Sequence, residues 1–180
     1  YHSALGNDSL YLGSTNAAST NGGNSFWNGT LPTSSVFTVG PDGDTNATEN
    51  FVAYCWHSVE NFSKVGSYEG NGNADGTFVY LGFKVSWLLL KSADNSGGWM
   101  ILDTTRTPNN VMSEYLSPNG NYAENTGSAN HQVDLLSNGF KIRTAGGTDP
   151  RINPSGGTVI YAAFAEKPTM NLYGAQGTAR

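Results

Sequence analysis

The 180-residue chain has 13% charged residues, 12% aromatic residues, 23 glycines and a formal net charge of −5. Few charges with many aromatic residues argue against intrinsic disorder and favour an all-β protein rich in turns. The scattered lysines and arginines argue against nucleic-acid binding, and the longest apolar stretch, residues 85–90, is too short for membrane insertion.

Residues 1–61 have the pattern of a few short strands separated by polar loops. We expect strands at residues 10–13, 36–39 and 51–59, and a low-complexity surface loop over residues 14–24. The only cysteine, Cys55, lies in an apolar run and is therefore expected to be buried. Two or three strands are marginally stable alone in water, so this part of the chain needs support from elsewhere.

Residues 62–168 have the pattern of a complete antiparallel β-sandwich. One short helical turn is expected within residues 110–116, and tight turns at residues 94–98 and 137–138 predict two hairpins. Three tryptophans lie within predicted strands and are assigned to the core: Trp56, Trp87 and Trp99. The predicted strands are residues 62–68, 77–83, 84–91, 99–103, 133–136, 139–144 and 158–165.

Two stretches of the chain share one pattern, in which a polar loop rich in Asp, Gly and Asn separates two apolar runs. Phe37 in residues 35–57 matches Phe140 in residues 137–165, and Trp56 matches Phe164. This similarity divides the chain into a truncated first repeat (1–61), a complete second repeat (62–168) and a C-terminal tail (169–180). We expect the truncated unit to depend on the second copy, an upstream segment or a partner chain.

Two aromatic residues in polar loops are the best candidates for binding a ligand. Trp27 is followed by Asn28, and Tyr122 is preceded by Asn121. Aromatic faces can stack on sugar rings while neighbouring amides form hydrogen bonds, and loops commonly carry such sites. The alternative is that each ring closes the open end of its sandwich.

Acidic residues are considered as the pair of carboxylates that a glycosidase requires. None can be paired from sequence, and Asp residues in turns commonly cap the turn through their own side chains. The candidates are Asp42, Asp44, Asp103, Glu114, Asp134 and Asp149.

Metal binding has little support in the sequence. Residues 41–46 place oxygen ligands at alternate positions, as in a calcium loop, but the distal glutamate of such a loop is missing. The three histidines and the single cysteine form no zinc pattern. We therefore predict a protein that is not an enzyme and has no catalytic residues, no metal and no cofactor.

Several motifs resemble repeats in the C-terminal regions of tailed-bacteriophage tail-fibre and virion proteins, especially those of marine phages. The motifs are YCWHSVE (54–60), FSKVGSYEGNG (62–72), DGTFVYLGF (75–83), WMILDTTR (99–106), SNGFKIRT (137–144) and YAAFAE (161–166). Residues 1–6 are similar to the mid-point of a preceding repeat. The resemblance covers nearly the whole chain but assigns no chemistry to any residue.

The resemblance implies a lectin-like or jelly-roll-like sandwich exposed on the surface of a virion. It implies a homo-oligomer, with a trimer favoured, or contact with a neighbouring virion protein. The leading hypothesis is a structural and adhesive tail-fibre module whose loops touch a host-surface glycan. The alternatives are a purely structural virion protein, such as a capsid decoration protein, and a secreted glycan hydrolase.

Overall fold

The computed structural model describes residues 1–20, 22–144 and 150–166, and in this part of the chain it forms a two-sheet antiparallel β-sandwich. One sheet has the strand order β1-β7-β3-β4 and the other has the order β2-β6-β5. The predicted fold class is thereby confirmed. The strands are β1 (Ser63–Glu69), β2 (Phe78–Tyr80), β3 (Val85–Ser92), β4 (Met100–Asp103), β5 (Val133–Leu136), β6 (Gly139–Ile142) and β7 (Thr158–Ala165).

Strands β7 and β3 form the centre of the larger sheet. Strand β7 pairs with β1 on one edge and with β3 on the other, and both pairings are antiparallel. The two predicted hairpins are confirmed, because β3 pairs with β4 and β5 pairs with β6. The Asp149 candidate and the predicted tail 169–180 lie outside the described residues.

The hydrophobic core lies between the two sheets and is built entirely from residues of the predicted second unit. Phe140 of β6 is fully buried and contacts two rings of the opposite sheet. Its ring centroid lies 5.8 Å from that of Tyr68 and 5.5 Å from that of Tyr161, in edge-to-face arrangements. Such aromatic contacts stabilise a core beyond the area they bury, so Phe140 joins the two layers.

Lys91 on β3 is an unusual member of the interior, with only 1% of its surface exposed. Its ammonium group donates to the carbonyl oxygen of Ser92 at 2.5 Å and to that of Asn95 at 3.3 Å. Burial lowers the pKa of Lys91 from 10.5 to about 8, because the charged form loses hydration.

The stability of the fold is expected to increase as the pH rises from about 8 towards 10. In this window the unfolded chain still binds the proton that folded Lys91 has released, so deprotonation favours the folded state. Between pH 7.5 and pH 9.5 we expect the free energy of unfolding to rise by about 1–2 kcal/mol. The full effect of the pKa shift would be larger and would be reached only at higher pH, where the unfolded chain has also lost the proton.

Urea titrations of the wild-type chain and of Lys91→Met at pH 7.5 and 9.5 measure this gain. The methionine variant keeps the apolar length of the side chain and removes the titration. Parallel behaviour of the two proteins over this pH range would contradict the prediction. The comparison stays below pH 10 because burial also raises the pKa values of Tyr68 and Tyr161, whose ionisation then favours the unfolded chain.

The prediction of three strands within residues 1–61 is wrong. Residues 10–13, 36–39 and 51–59 are irregular, apart from a bridge between Val59 and Ser63. Regular elements here are a 3₁₀ turn at Ser3–Leu5 and a short helix α1 at Gly22–Trp27, where a loop was expected. A strand-like sequence forms a strand only when a neighbouring edge pairs with its backbone, and in the described part of the chain these three segments have no such partner beyond the bridge at Val59.

Two predicted core residues of the first unit are also exposed. Trp56 is 66% exposed and Cys55 is exposed, although both were expected to be buried. Their burial was inferred from a strand that does not form. Trp99 is buried as predicted, and Trp87 is partly buried with its ring 5.6 Å from that of Phe164.

The helical turn predicted at residues 110–116 is wrong as well. This stretch has no helix and instead makes single bridges to the sheets: Met112 pairs with Val133, and Leu116 pairs with Ile101. Pairing with the ends of β5 and β4 satisfies backbone groups that a short isolated helix would leave open.

Candidate functional site

Helix α1 places two neighbouring aromatic rings at the surface of the sandwich. Phe26 is buried and Trp27 is half-buried at the end of the helix. Asn28 and Gly29 follow with φ angles of 51° and 62°, the left-handed conformation that commonly ends a helix. The helix therefore fixes where the indole of Trp27 lies.

A second loop, residues 40–46, is fastened to α1. The amide of Gly40 donates to the Phe26 carbonyl at 2.7 Å, and the amide of Asp42 donates to the Ser25 carbonyl at 3.1 Å. A side chain at Gly40 would collide with the Ser25 carbonyl, so the loop approaches this closely only with glycine there. The Asp42 carboxylate then accepts the amide of Asp44 at 2.9 Å, as expected for an aspartate in a turn.

Helix α1 and the loop 40–46 border a cavity of about 370 Å³ that is open to solvent, which we call the aromatic cavity. Its volume lies in the range of small-molecule sites, about 300–1,000 Å³. It is lined by Tyr1, Ser9, Leu10, Tyr11, Leu12, Phe26, Trp27, Asp44 and Thr45.

Four aromatic rings of the aromatic cavity pack edge to face in a connected row. The Tyr1 and Trp27 rings are 5.8 Å apart, those of Phe26 and Trp27 are 6.4 Å apart, and those of Tyr11 and Phe26 are 5.7 Å apart. Tyr1 and Tyr11 are each more than 40% exposed. The cavity thus has apolar walls that remain open to solvent.

Two of the lining residues carry buried polar atoms that have no hydrogen-bond partner among the described residues. They are the hydroxyl of Ser9, a residue only 4% exposed, and the indole nitrogen of Trp27. An unsatisfied buried polar group costs about 1–3 kcal/mol, so such groups call for an explanation. Both atoms are closed to solvent in this structure, so a ligand could hydrogen-bond to them only after a small opening of the cavity wall.

Among the side chains that line the aromatic cavity in the described structure, the charged one is the Asp44 carboxylate. Desolvation and the charges of Asp44 and Asp42, together with a side-chain hydrogen bond to Asp44, raise the pKa of the Tyr11 phenol. No lysine or arginine is among the lining residues that the structure describes. The cavity therefore favours uncharged or positively charged ligands.

The aromatic cavity is attached to the rigid sandwich through the turn between β3 and β4. The indole nitrogen of Trp99 donates to the Tyr11 carbonyl at 2.9 Å. The amide of Ala18 donates to the Ala93 carbonyl at 2.7 Å. A binding site held on rigid elements keeps its geometry better than one on a free loop.

The structure separates the four predicted ligand-binding residues. Trp27 lines the aromatic cavity, whereas its neighbour Asn28 does not line it and serves to end α1. Tyr122 and Asn121 are exposed in a different loop and do not line the cavity. Tyr122 is 69% exposed, so its ring does not close the end of the sandwich.

Sequence reasoning missed most of the aromatic cavity. The sequence predicts a strand at Tyr11 and gives no signal at Ser9. Asp44 was considered only as a catalytic or calcium-binding residue. The sequence signal for this site is the aromatic pair at positions 26 and 27, and of this pair only Trp27 is among the predicted ligand-binding residues.

A second cavity, of about 300 Å³, lies beside the turn before β1. Lys64 in its wall donates to the Tyr80 carbonyl at 2.9 Å and lies 5.8 Å from the centre of the Tyr80 ring. Because its cation already has these partners, this cavity offers less to a ligand than the aromatic cavity.

The remaining carboxylate candidates have partners of their own. Asp103 forms an ion pair with Arg106, which also contacts Glu124 at 3.1 Å. Glu114 accepts the Thr107 hydroxyl at 2.9 Å. Asp134 lies 3.4 Å from Arg143.

The residues that the structure describes contain neither a metal-binding cluster nor a helix suited to a membrane. No three His, Cys, Asp or Glu side chains come close enough together there to hold a metal ion. None of the helices in that part of the chain has the length and apolar character needed to cross a membrane.

Comparison with known proteins gives one family. Residues 1–168 match the model of a domain of unknown function, DUF7483, and the match runs across the predicted boundary between residues 61 and 62. No curated protein and no solved structure gives a significant match. Since the matched region covers most of the 180 residues, the chain belongs to the DUF7483 family.

Proposed function

We propose that this chain is a structural and adhesive module of a bacteriophage tail fibre or related virion appendage, and that it binds a host-surface glycan in the aromatic cavity. The observation that carries the adhesive part is that exposed aromatic walls and the exposed carboxylate of Asp44 line one cavity. The virion setting rests on the sequence resemblance.

The walls of the cavity offer apolar rings for the C–H face of a sugar and polar groups for its hydroxyls. The rings of Tyr1, Tyr11 and Trp27 offer apolar surfaces for the C–H face of a pyranose. Sugar hydroxyls can both donate and accept, so they match the acceptor oxygens of Asp44. The hydroxyl of Ser9 and the indole N–H of Trp27 become further partners once the cavity wall opens.

The charge of the cavity narrows the class of glycan. Asp44 would repel the carboxylate of a uronic or sialic acid, and the described lining residues include no lysine or arginine side chain to offset this repulsion. The acidic net charge of −5 acts in the same direction over the whole surface. The proposed ligand is therefore a neutral or amine-bearing saccharide.

The test is binding of the full chain to a glycan array, with Trp27→Ala and Tyr122→Ala compared side by side. We expect Trp27→Ala to weaken binding about tenfold or more, through loss of a stacking surface and a hydrogen-bond donor. Tyr122→Ala removes an exposed ring outside the cavity and should bind like the wild type. Asp44→Asn, which keeps the shape of the side chain, should restore some binding to acidic glycans.

Several outcomes would contradict the proposal. Loss of binding in Tyr122→Ala alone would move the site to the loop with Asn121. An array that stays blank, together with no binding to host cells, would favour the purely structural virion protein, which microscopy of the particle can locate. Thermal melting of each variant shows whether a loss reflects the site or the fold.

A further inference from the structure

Residues 51–57, which we call the free segment, form the largest run of exposed apolar side chains in the described chain. Every residue of the free segment is exposed, with Val52 at 76%, Tyr54 at 75% and Trp56 at 66%. None of its backbone groups makes a backbone–backbone hydrogen bond within the described residues, and the His57 carbonyl at its end accepts the Ser63 hydroxyl at 3.1 Å. Backbone groups without hydrogen-bond partners, next to exposed apolar side chains, indicate a surface that another chain can cover.

The sequence of the free segment is that of a strand inside a sheet. It matches β7 in the internal repeat, and β7 has an antiparallel neighbour on each edge. Tyr54 and Trp56 already share one side, with their rings stacked 6.1 Å apart at an interplanar angle of 21°. The segment therefore has the side-chain arrangement of a strand without a partner strand.

The adjacent edge of β1 does not supply this partner. Val59 and Ser63 close a tight turn, with reciprocal hydrogen bonds of 2.9 Å. Beyond it, the Ser58 hydroxyl accepts the Val65 amide at 3.1 Å and donates to the Val65 carbonyl at 3.4 Å. The hydroxyl of Ser58 is thus hydrogen-bonded to the amide and carbonyl of Val65, the backbone groups with which residue 57 would have to pair to extend the sheet.

We propose that the free segment pairs, antiparallel, with the free segment of a second copy of this chain, about a two-fold axis at Cys55. In this register Tyr54 of each copy lies opposite Trp56 of the other, and Ala53 lies opposite His57. The two chains form one continuous two-stranded ladder.

Three properties of the segment favour a second copy over an unrelated protein. Residues 50–59 contain no Asp, Glu, Lys or Arg, so self-pairing brings no like charges together. The register creates two aromatic cross-strand pairs, which stabilise a sheet. A self-complementary patch is what a two-fold interface requires. The resulting dimer differs from the trimer implied by the sequence resemblance, and it does not depend on glycan binding.

The first test is the mass of the full chain in solution, by light scattering after gel filtration, for the wild type and two double variants. Tyr54→Glu/Trp56→Glu places like charges opposite each other in this register and is expected to be monomeric. Tyr54→Lys/Trp56→Glu has the same number of changes but places opposite charges against each other, and it is expected to remain a dimer. Because both positions are exposed, melting temperatures should be similar.

The second test uses Cys55, the only cysteine of the chain, to read the register. Directly opposed residues of an antiparallel ladder have Cα atoms about 4.5–5.5 Å apart, which suits a disulfide. Oxidation with glutathione disulfide should cross-link the wild type and Tyr54→Lys/Trp56→Glu into covalent dimers. We expect the rate of cross-linking to be at least about tenfold higher for these two proteins than for Tyr54→Glu/Trp56→Glu.

Each other result overturns the proposal. The proposal is overturned if the wild-type chain is monomeric or trimeric at micromolar concentration. It is also overturned if Tyr54→Glu/Trp56→Glu keeps the mass of the wild type. A dimer whose Cys55 residues do not cross-link faster than those of the double glutamate variant excludes this register.

Discussion

Replacing Phe140 by alanine is expected to lower the free energy of unfolding by about 3–5 kcal/mol. Phe140 is fully buried between the sheets and contacts the rings of Tyr68 and Tyr161. Its removal leaves a cavity lined by side chains that belong to strands of both layers, so the structure cannot easily collapse to fill it. Urea unfolding followed by tryptophan fluorescence measures the change.

Phe37 provides a matched control, because the repeat pattern pairs it with Phe140. Phe37 is 44% exposed in irregular chain, so Phe37→Ala should cost less than about 1 kcal/mol in the isolated chain. Equal losses for the two variants would contradict the structure and would mean that the first repeat also closes a core. The prediction thus tests how far the two repeats are structurally equivalent.

Replacing Asn153 by alanine is expected to cost about 2–4 kcal/mol, although only a polar side chain is removed. Asn153 is fully buried, and its amide nitrogen donates to the carbonyls of Thr144 at 2.6 Å and Asn73 at 2.8 Å. Its amide oxygen accepts the backbone amide of Asn71 at 2.9 Å. One side chain therefore holds the β1–β2 loop against the turn before β7.

The measurement is the same urea titration, with Asn109→Ala as the control. Asn109 is an exposed asparagine, and its loss should change stability by less than about 0.5 kcal/mol. Asn153→Asp tests the direction of the hydrogen bonds, because a carboxylate cannot donate to carbonyls and should destabilise the fold at least as much as alanine. A loss below about 1 kcal/mol for Asn153→Ala would show that water replaces these bonds.

The strands of residues 62–166 could be predicted from local sequence. Alternation in β5, the continuous apolar run of β3 and the turn residues between them each indicate one structure, and these local preferences agree with the tertiary fold. Agreement of this kind allowed the hairpins to be placed to within a residue or two.

The candidate site could be predicted only in part. Trp27 was identified because an aromatic residue among polar ones is noticeable in sequence. Its partners Tyr11, Phe26 and Asp44 come from three separate stretches, and only the packing of α1 against the loop 40–46 brings them together. Sequence spacing does not contain that information.

The amino-acid sequence alone determined that this protein is an antiparallel β-sandwich and where the strands of residues 62–166 lie, because side-chain alternation and turn residues act within a few positions of each other. Only the tertiary structure decided which apolar segments are buried. Residues 51–57 and β7 have the same strand pattern, yet one is exposed and the other lies at the centre of a sheet. The physical reason is that a strand is stabilised by hydrogen bonds to its neighbours, and those neighbours are distant in sequence.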